Sequence, residues 1–180
     1  MSEAIFERIR ALLDSRGMRY EVVEHGETLN SAASAAARGL PLAVSAKALL
    51  LKADDRFVLA VLRADRKLDS RAARRLLGAR KLRFATREEL AAHTGGLIPG
   101  AVPPFGSPVL LFELFVDASV AEGPDVAFNA GLLTRSIIMT TDAYLALTGH
   151  TPCHISCPME ENRDGASQNP QFAFVRSLSE

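Results

Sequence analysis

The segment from residue 95 to residue 106 constrains the fold more than any other, because it can be neither a helix interior nor a central strand. It reads GGLIPGAVPPFG and holds four glycines and three prolines in twelve positions. Proline removes a backbone N–H, and glycine loses more conformational entropy than other residues on entering a regular element. The segment is therefore predicted to be a shaped loop.

The composition of this loop also determines which backbone donors it can offer. Its three prolines have no N–H. The N–H groups that remain able to face a cavity are those of Gly100, Ala101, Val102, Phe105 and Gly106. Converging backbone N–H groups can bind an oxyanion. A loop rich in glycine and proline is more often only a connector, so this interpretation needs support from other residues.

Composition predicts one compact domain without a long-range attraction for polyanions. A chain of 180 residues that is 48% hydrophobic can build one sizeable core. Basic and acidic residues each number 21, so a nucleic acid would have to meet a local patch. No apolar run approaches the roughly 18 residues of a membrane span, and the first residues lack signal-peptide features. We expect a cytoplasmic protein that does not bind membranes.

Short helical and strand patterns alternate along the chain. Helices are predicted from residue 2 to 16, from about 31 to 39, from about 70 to 78, from 86 to the loop, and from about 141 to 149. Strands are predicted at 20–24, 47–52, 57–62, 81–84, 109–116, 126–131 and 136–139, with the second and third forming a hairpin. Asn30 or Ser31 is predicted to cap the second helix, and Thr86 and Glu89 to form a capping box at the fourth. A long regular βαβ period is missing. We therefore expect an α+β fold with a mixed, mostly antiparallel sheet that curls like a barrel around a pocket, flanked by helices.

The sequence changes character after the last predicted helix. From His150 onward it is polar and contains several Pro, Asn and Ser residues, which predicts a poorly ordered tail over 150–180 and a folded domain over 1–149. His150, Cys153, His154 and Cys157 are metal-ligand types at close spacing. They lack a second half-site and the usual paired-cysteine spacing, so we expect no metal.

Two other residues are candidates for a site, and each also has an ordinary explanation. Lys47 opens an otherwise apolar strand, where a lysine is either a solvated strand end or a fixed cation for a phosphate or carboxylate. His25 follows a short strand and can be a general base, although a lone histidine there is more often structural. No Ser/His/Asp or Cys/His set with a recognised signature accompanies it.

A basic cluster lies between residues 71 and 83. Its members are Arg71, Arg74, Arg75, Arg80, Lys81 and Arg83, with no acidic residue among them. A solvated helix face and a contact with a nucleic-acid backbone are about equally good explanations. Aromatic residues that would indicate base stacking do not interleave with the cluster, so any contact is expected to be to phosphates.

Taken together, these motifs resemble the YbaK/prolyl-tRNA synthetase editing-domain family over about residues 5 to 148. The resemblance rests on His25, on Lys47 within AKALL, on the segment from Gly100 to Pro104 that fits the glycine-x-x-x-proline motif, and on FNAG ending at Gly131. The run from Thr94 to Phe105 and VAFNAG look most like the YeaK-type branch, which clears Ser, Thr and also Ala from the wrong tRNA. The alanine-specific branch usually has asparagine after the lysine, where this chain has Ala48.

The resemblance implies an aminoacyl-tRNA deacylase that needs no cofactor, and it implies a set of site residues. The catalytic groups would be Lys47 and the backbone of Gly100, Ala101 and Val102. Substrate contacts would come from His25, Thr28, Pro104, Phe105, Gly106, Asn129 and Gly131. The basic cluster would bind the tRNA, with the acceptor end in the pocket.

Two other functions remain open at this stage. One is a module that binds aminoacyl-tRNA or an aminoacyl-tRNA synthetase without turnover, and the other is a hydrolase of a different small ester. Both Lys47 and the Gly100/Pro104 loop favour turnover, because a pure binder would not need them. The expected partners are aminoacyl-tRNA and an aminoacyl-tRNA synthetase, and the expected state is a monomer or a weak dimer.

Overall fold

The computed structural model describes residues 2–28 and 30–159, which form five α-helices and nine β-strands. The helices are α1 (Ser2–Ser15), α2 (Ser31–Ala37), α3 (Ser70–Leu76), α4 (Arg87–Thr94) and α5 (Thr141–Thr148). The strands are β1 (Tyr20–Glu24), β2 (Ala46–Ala53), β3 (Arg56–Arg63), β4 (Arg66–Leu68), β5 (Leu82–Phe84), β6 (Glu113–Val116), β7 (Asp125–Asn129), β8 (Arg135–Thr140) and β9 (Ser156–Pro158). Short 3₁₀ helices occupy Leu42–Val44 and Ala118–Glu122.

The described strands form three sheets. The largest has the order β5-β2-β3-β6, in which only β6 runs parallel to its neighbour. A second, antiparallel sheet has the order β1-β8-β7, and β4 pairs with β9. A single parallel bridge between Ser45 and Ala127 joins the first two sheets. The mixed, mostly antiparallel α+β prediction is confirmed, whereas a single barrel-like sheet is not found among these strands.

The β2–β3 hairpin is the centre of the larger sheet and sets the position of Lys47. Its turn places Asp54 in the left-handed region at φ 51°, and the register pairs Lys47 with Leu62. Val58 to Leu62 are all at most 1% exposed, as expected for a strand buried on both faces. Lys47 therefore lies near the open end of a rigid, apolar hairpin.

Caps at two helices fix the segments beside the central loop. The side chain of Asn30 accepts the N–H of Ala33 at the start of α2, as the sequence predicts. Thr86 and Glu89 form a capping box at the start of α4. That helix ends at Gly95, which has a left-handed φ of 71° and begins the loop.

Three aromatic side chains anchor the second half of the loop in the core. Phe105 meets Phe128 and Tyr144 edge-on, with ring centroids 5.3 Å and 5.7 Å away. The hydroxyl of Tyr144 donates to the carbonyl of Pro104 at 2.8 Å. This buried bond ties the loop to α5, so the part of the loop after residue 103 belongs to the core.

The predicted strand at 109–116 is wrong in its first half, since β6 begins only at Glu113. The N–H groups of Val109 and Leu110 both donate to the carbonyl of Gly106 at 3.0 Å, which bends this stretch into turns. Both side chains are nevertheless buried, at 1% and 4% exposure. An apolar run shows burial but does not distinguish a buried turn from a buried strand.

The prediction of a poorly ordered tail fails for its first part, because residues 150–159 pack on the fold. β9 pairs with β4, and Cys153 forms a parallel bridge with Asp117. Ile155 is 2% exposed, and its N–H donates to the Asp117 carboxylate at 2.8 Å. The folded unit thus continues past the predicted boundary at 149. Residues 160–180 of the predicted tail lie outside the described residues.

Asp117 is the buried acid that holds this segment. Burial by itself would raise the pKa of its carboxyl group, but bonds from Ser119, Ser156 and the N–H of Ile155 outweigh that effect and lower the pKa. The hydroxyl of Ser156 donates to one carboxylate oxygen at 2.6 Å. The polar character of the segment was therefore misleading, because part of it satisfies a buried charge.

We predict that Ile155→Ala lowers the free energy of unfolding by about 2–5 kcal/mol, since it empties a fully buried site. The measurement is urea denaturation followed by circular dichroism. The matched control is Met159→Ala, where the side chain is 49% exposed and a change within about 0.5 kcal/mol is expected. Equal and small effects of both substitutions would show that residues 150–159 do not stabilise the fold.

Candidate functional site

A cavity of about 210 Å³ opens between α2, the start of β2, the central loop and the end of β7. The polar or glycine residues along its wall are Asn30, Ser31, Ser34, Arg38, Ser45, Lys47, Gly100 and Asn129. Within the described part of the chain, the wall includes two cationic side chains and no carboxylate. The cavity is therefore suited to a ligand that carries or develops negative charge.

Lys47 is the first of these cations. Its Nζ donates to the carbonyl of Ala64 at 3.1 Å. Burial lowers the pKa of the ammonium group, and the charge of Asp65 opposes that shift only in part. No ion pair of Lys47 is found among the described residues. Lys47 thus lines the cavity as a half-buried cation, and its role as a fixed cation for a ligand stays a prediction.

Ala101 holds the central loop in place with both of its backbone groups. Its N–H donates to the carbonyl of Ile98 at 3.1 Å, and its carbonyl accepts the N–H of Gly131 at 3.0 Å. The N–H of Ala101 is therefore unavailable to a ligand, in contrast to the sequence prediction. The residue serves as an anchor because the turn from Ile98 uses its donor.

The N–H groups of Gly100 and Val102 flank this anchor and have no acceptor among the described residues. Both residues line the cavity, and Val102 is only 7% exposed. Gly100 has a φ of 89°, a left-handed conformation that a side chain would strain. Two neighbouring donors without partners can hold an oxygen atom on which negative charge develops. They are the candidate oxyanion cradle.

The remaining predicted loop residues do not face this cavity. Phe105 and Gly106 line a separate cavity of about 250 Å³, together with residues such as Leu12 and Leu147. A Cβ on Gly106 would lie 2.8 Å from the carbonyl oxygen of Phe112, so close packing explains this glycine. Pro104 is held by Tyr144. The structure therefore places the three residues in the core, away from Lys47.

His25, Thr28 and Asn129 meet in a polar layer beside the cavity. Nε2 of His25 lies 2.7 Å from Oγ of Ser136, and the hydroxyl of Thr28 lies 2.7 Å from that of Ser34. Asn129 donates from Nδ2 to the carbonyl of Gly100 at 2.8 Å. Only Asn129 of the three lines the cavity. The other two contact serines instead, His25 at Ser136 and Thr28 at Ser34.

Comparisons with known proteins identify the family of the chain. The family described as "Aminoacyl-tRNA editing domain" matches residues 25–147, which include the cavity and the loop. The chain belongs to the aminoacyl-tRNA editing domain family. It is 33% identical over 153 residues to the multifunctional Ser/Thr-tRNA deacylase ProXp-y of Escherichia coli K12, and this match covers 78% of the chain and 86% of that protein.

Two further relatives of this editing domain connect it with proline-tRNA ligases. It is 38% identical over 84 residues to the proline–tRNA ligase of Bacillus licheniformis, a match that covers 47% of the chain and 14% of the ligase. The crystal structure of a proposed trans-editing enzyme for prolyl-tRNA synthetase superposes with a TM-score of 0.73 at 28% identity. That superposition covers 84% of this chain and 96% of the other.

Arg38 is a residue of the editing domain's cavity that the sequence did not reveal. It is the C-cap of α2 and donates from its two terminal nitrogens to Ser136 at 2.9 Å and Ser45 at 3.2 Å. Burial lowers the pKa of its guanidinium to about 10. One signal was present, because Arg38 is the only charged residue between Glu27 and Lys47. A basic residue at a helix end is usually solvated, so the signal was weak.

The basic cluster of the editing domain lies on α3, β5 and the turn between them. The structure brings acids to it that the sequence separates. Glu89 binds Arg83 with two short bonds of 2.6 Å and 2.7 Å, and the pKa of Glu89 falls to about 2, chiefly through Arg83. Asp54 accepts the N–H groups of Arg80 and Lys81. The field of the cluster is thus weaker than its sequence suggests.

The cysteines and histidines near residue 150 do not assemble into a ligand set. Cys153 donates its thiol hydrogen to the carbonyl of Val116 at 3.3 Å, and burial followed by the charge of Asp117 raises the pKa of the thiol. Residues 2–28 and 30–159 contain no group of three His, Cys, Asp or Glu side chains placed to hold a metal ion. Over the same residues, no helix combines the length and apolar character of a membrane crossing.

We predict that Lys47→Met leaves the free energy of unfolding unchanged or raises it by up to about 1 kcal/mol, because a half-buried cation without a carboxylate partner is replaced by an apolar group. Lys52→Met on the same strand is the matched control. Lys52 has Glu89 at 3.4 Å and lies over the ring of Phe57, so its loss should lower the free energy of unfolding by about 0.5–1 kcal/mol. A larger loss at Lys47 in urea denaturation would contradict this.

Proposed function

We propose that this protein is an aminoacyl-tRNA deacylase that acts in the cytoplasm on tRNAs carrying the wrong small amino acid. The main support is a single cavity lined by Lys47, Gly100 and Val102. The N–H groups of Gly100 and Val102 have no partner among the described residues. The family and the named Ser/Thr-tRNA deacylase relative support the same reaction. The substrate class is the ester of Ser, Thr or Ala on the terminal ribose of a tRNA.

The proposed reaction is hydrolysis of that ester by water. The water oxygen bonds to the carbonyl carbon, and negative charge moves to the carbonyl oxygen. The ribose oxygen then leaves and takes a proton, which yields the free amino acid and the uncharged tRNA. Gly100 and Val102 would donate to the oxyanion, and one such donor is typically worth about 10²–10³ in rate.

The size and charge of the cavity support a small substrate group. A volume of about 210 Å³ is below the roughly 300–1,000 Å³ that drug-sized ligands fill, so the cavity suits an amino-acid moiety rather than a whole nucleotide. Lys47 would hold the phosphate or ribose side of the terminal adenosine. An activated ester needs no protein nucleophile when it is well positioned, which agrees with the missing triad.

Of the two candidate functions, catalysis fits the cavity better than binding of tRNA without chemistry. Among the described residues, half-buried Lys47 has no ion-pair partner, and the N–H of buried Val102 has no acceptor. Both arrangements are unfavourable for stability, and a module that only docks a tRNA would not need them. The same geometry is what stabilises a charge that appears only during ester cleavage.

The tRNA body is proposed to contact the basic cluster. Arg71, Arg74 and Arg75 project from α3 and are exposed. Because β5 pairs with the far end of β2, at Leu51 to Ala53, the cluster lies about 15 Å from Lys47 along that strand. A tRNA with its acceptor end at the cavity can span this distance. Arg83 would contribute less, because Glu89 already binds it.

The deacylation test uses Ser, Thr, Ala and Cys, each charged on a non-cognate tRNA. We predict that the Ser and Thr esters are cleaved fastest, at rates well above spontaneous hydrolysis. Lys47→Ala should abolish most of this activity, whereas Lys52→Ala on the same strand should leave the rate nearly unchanged. Absence of cleavage on all four esters would contradict the proposed function, and full activity of Lys47→Ala would remove Lys47 from the site.

We predict that reversing Arg74 and Arg75 to Glu weakens binding of full-length tRNA. Each lost phosphate contact should reduce the slope of log affinity against log salt by about 0.7–0.9. Hydrolysis of a minimal aminoacyl-adenosine, which does not reach the cluster, should hardly change. The matched control reverses Arg16 and Arg19, exposed residues around the end of α1. An unchanged salt slope would show that the tRNA docks elsewhere.

A further inference from the structure

One directed chain of hydrogen bonds runs from Arg38 to the central loop. Arg38 donates to Oγ of Ser136 at 2.9 Å, and Ser136 donates to Oδ1 of Asn129 at 3.0 Å. Asn129 in turn donates from Nδ2 to the carbonyl of Gly100 at 2.8 Å and to Oγ of Ser34 at 3.3 Å. The chain joins α2, β8, β7 and the loop. Ser136 is fully buried, and Asn129 is 9% exposed.

The donor and acceptor of each bond in this chain follow from its last acceptor, the carbonyl of Gly100. The carbonyl of Gly100 can only accept, so the amide nitrogen of Asn129 must face it, and Oδ1 must face Ser136. Ser136 then uses its single hydrogen on Oδ1. Its oxygen is left to accept from Arg38, which can only donate. A guanidinium at this position therefore cannot take the hydrogen of Ser136, which stays available for Oδ1 of Asn129 at 3.0 Å.

His25 competes for the hydrogen of Ser136. Its Nδ1 lies 2.8 Å from the carbonyl of Gly26, which only accepts, so Nδ1 carries a hydrogen in this contact. Nε2 lies 2.7 Å from Ser136. It donates to Ser136 if the ring carries a hydrogen on both nitrogens, and otherwise it accepts the hydrogen of Ser136. Only donation leaves Asn129 with its partner.

Arg38 occupies an unfavourable environment for a cation. Described carboxylates contribute no compensating charge, and burial alone accounts for the lowering of its pKa to about 10. Its Nε is buried without a hydrogen-bond partner. A buried polar group without a partner lowers the stability of the fold, so its presence indicates another role. The hydrogen-bond chain from Arg38 to Gly100 supplies such a role.

We infer that Arg38 is a positioning residue of the site: through Ser136 and Asn129 it holds the Gly100 carbonyl, so that the N–H groups of Gly100 and Val102 face the cavity. This inference rests on the proposed function for its kinetic consequence. Its structural part, the orientation of the loop by Arg38, stands without it. Arg38 itself need not touch the reacting atoms.

The kinetic test is a double-mutant cycle on a minimal seryl-adenosine ester, which avoids the tRNA surface. We expect Arg38→Met and Ser136→Ala each to lower kcat about 10²-fold, a loss typical of a displaced catalytic group, with KM changed far less. The double variant should be no slower than the slower single variant, because both act through Asn129. Arg87→Met, an exposed arginine of α4 next to the loop, is the control and should keep the wild-type rate.

A second measurement follows the loop directly by the ¹H–¹⁵N NMR signals of Gly100, Val102 and the Asn129 side-chain amide. Arg38→Met should shift all three signals from their wild-type positions. Arg38→Lys, which keeps a donor and the charge, should shift them less. If Arg38→Met does not fold, Arg38→Lys and Ser136→Ala carry both tests.

The outcomes separate the two proposals. A wild-type protein that cleaves no aminoacyl ester refutes the deacylase function, and the NMR signals still decide the role of Arg38. A wild-type protein that is active while the Arg38 variants keep its kcat, or that shows unchanged Gly100 and Val102 signals, overturns this inference alone. Losses that multiply in the double variant would also overturn it.

Discussion

The bond from the Asn129 side chain to the carbonyl of Gly100 is the interaction on which the site depends. It is 2.8 Å long and connects the last residue of β7 to the middle of the loop. The hydrogen bond between Gly131 and Ala101 fixes the next loop residue in the same way. Two anchors near one strand end thus hold two consecutive loop residues, Gly100 and Ala101. Both anchors use carbonyl oxygens of the loop, and the N–H groups of Gly100 and Val102 have no acceptor in the described part of the chain.

The cavity combines features that lower stability with features that fix geometry. Over residues 2–28 and 30–159, Lys47 and Arg38 form no ion pair, and Gly100 takes a left-handed conformation. The β2–β3 hairpin, the α2 cap and the aromatic contacts of Phe105 provide the rigid surroundings that keep these groups in place. Unfavourable local choices inside a well-packed fold are typical of functional sites. The same rigid scaffold would allow the proposed oxyanion cradle to be built from backbone alone.

Several elements were predictable from sequence because their signals are local. The capping box at Thr86, the Asn30 cap and the β2–β3 hairpin were each confirmed, and Lys47 faces the cavity as expected. Non-local contacts were not predictable. Tyr144 binds the carbonyl of Pro104 and packs on Phe105 in the core, and Asp117 accepts the N–H of Ile155 in a segment that was predicted to be a tail. The turn that joins Ala101 to Ile98 is local, but the sequence did not show that it uses a predicted donor. Arg38 was missed because its hydrogen-bond partners are serines that lie 7 and 98 positions away in the sequence.

The central claim is that the N–H groups of Gly100 and Val102 hold the ester carbonyl oxygen. The most direct measurement is a crystal structure with a non-hydrolysable amide analogue of seryl-adenosine. The account predicts that the carbonyl oxygen of the analogue lies about 2.7–3.1 Å from both backbone nitrogens, with the serine side chain inside the cavity. A bound analogue whose carbonyl oxygen faces solvent, or contacts only side chains, would contradict it.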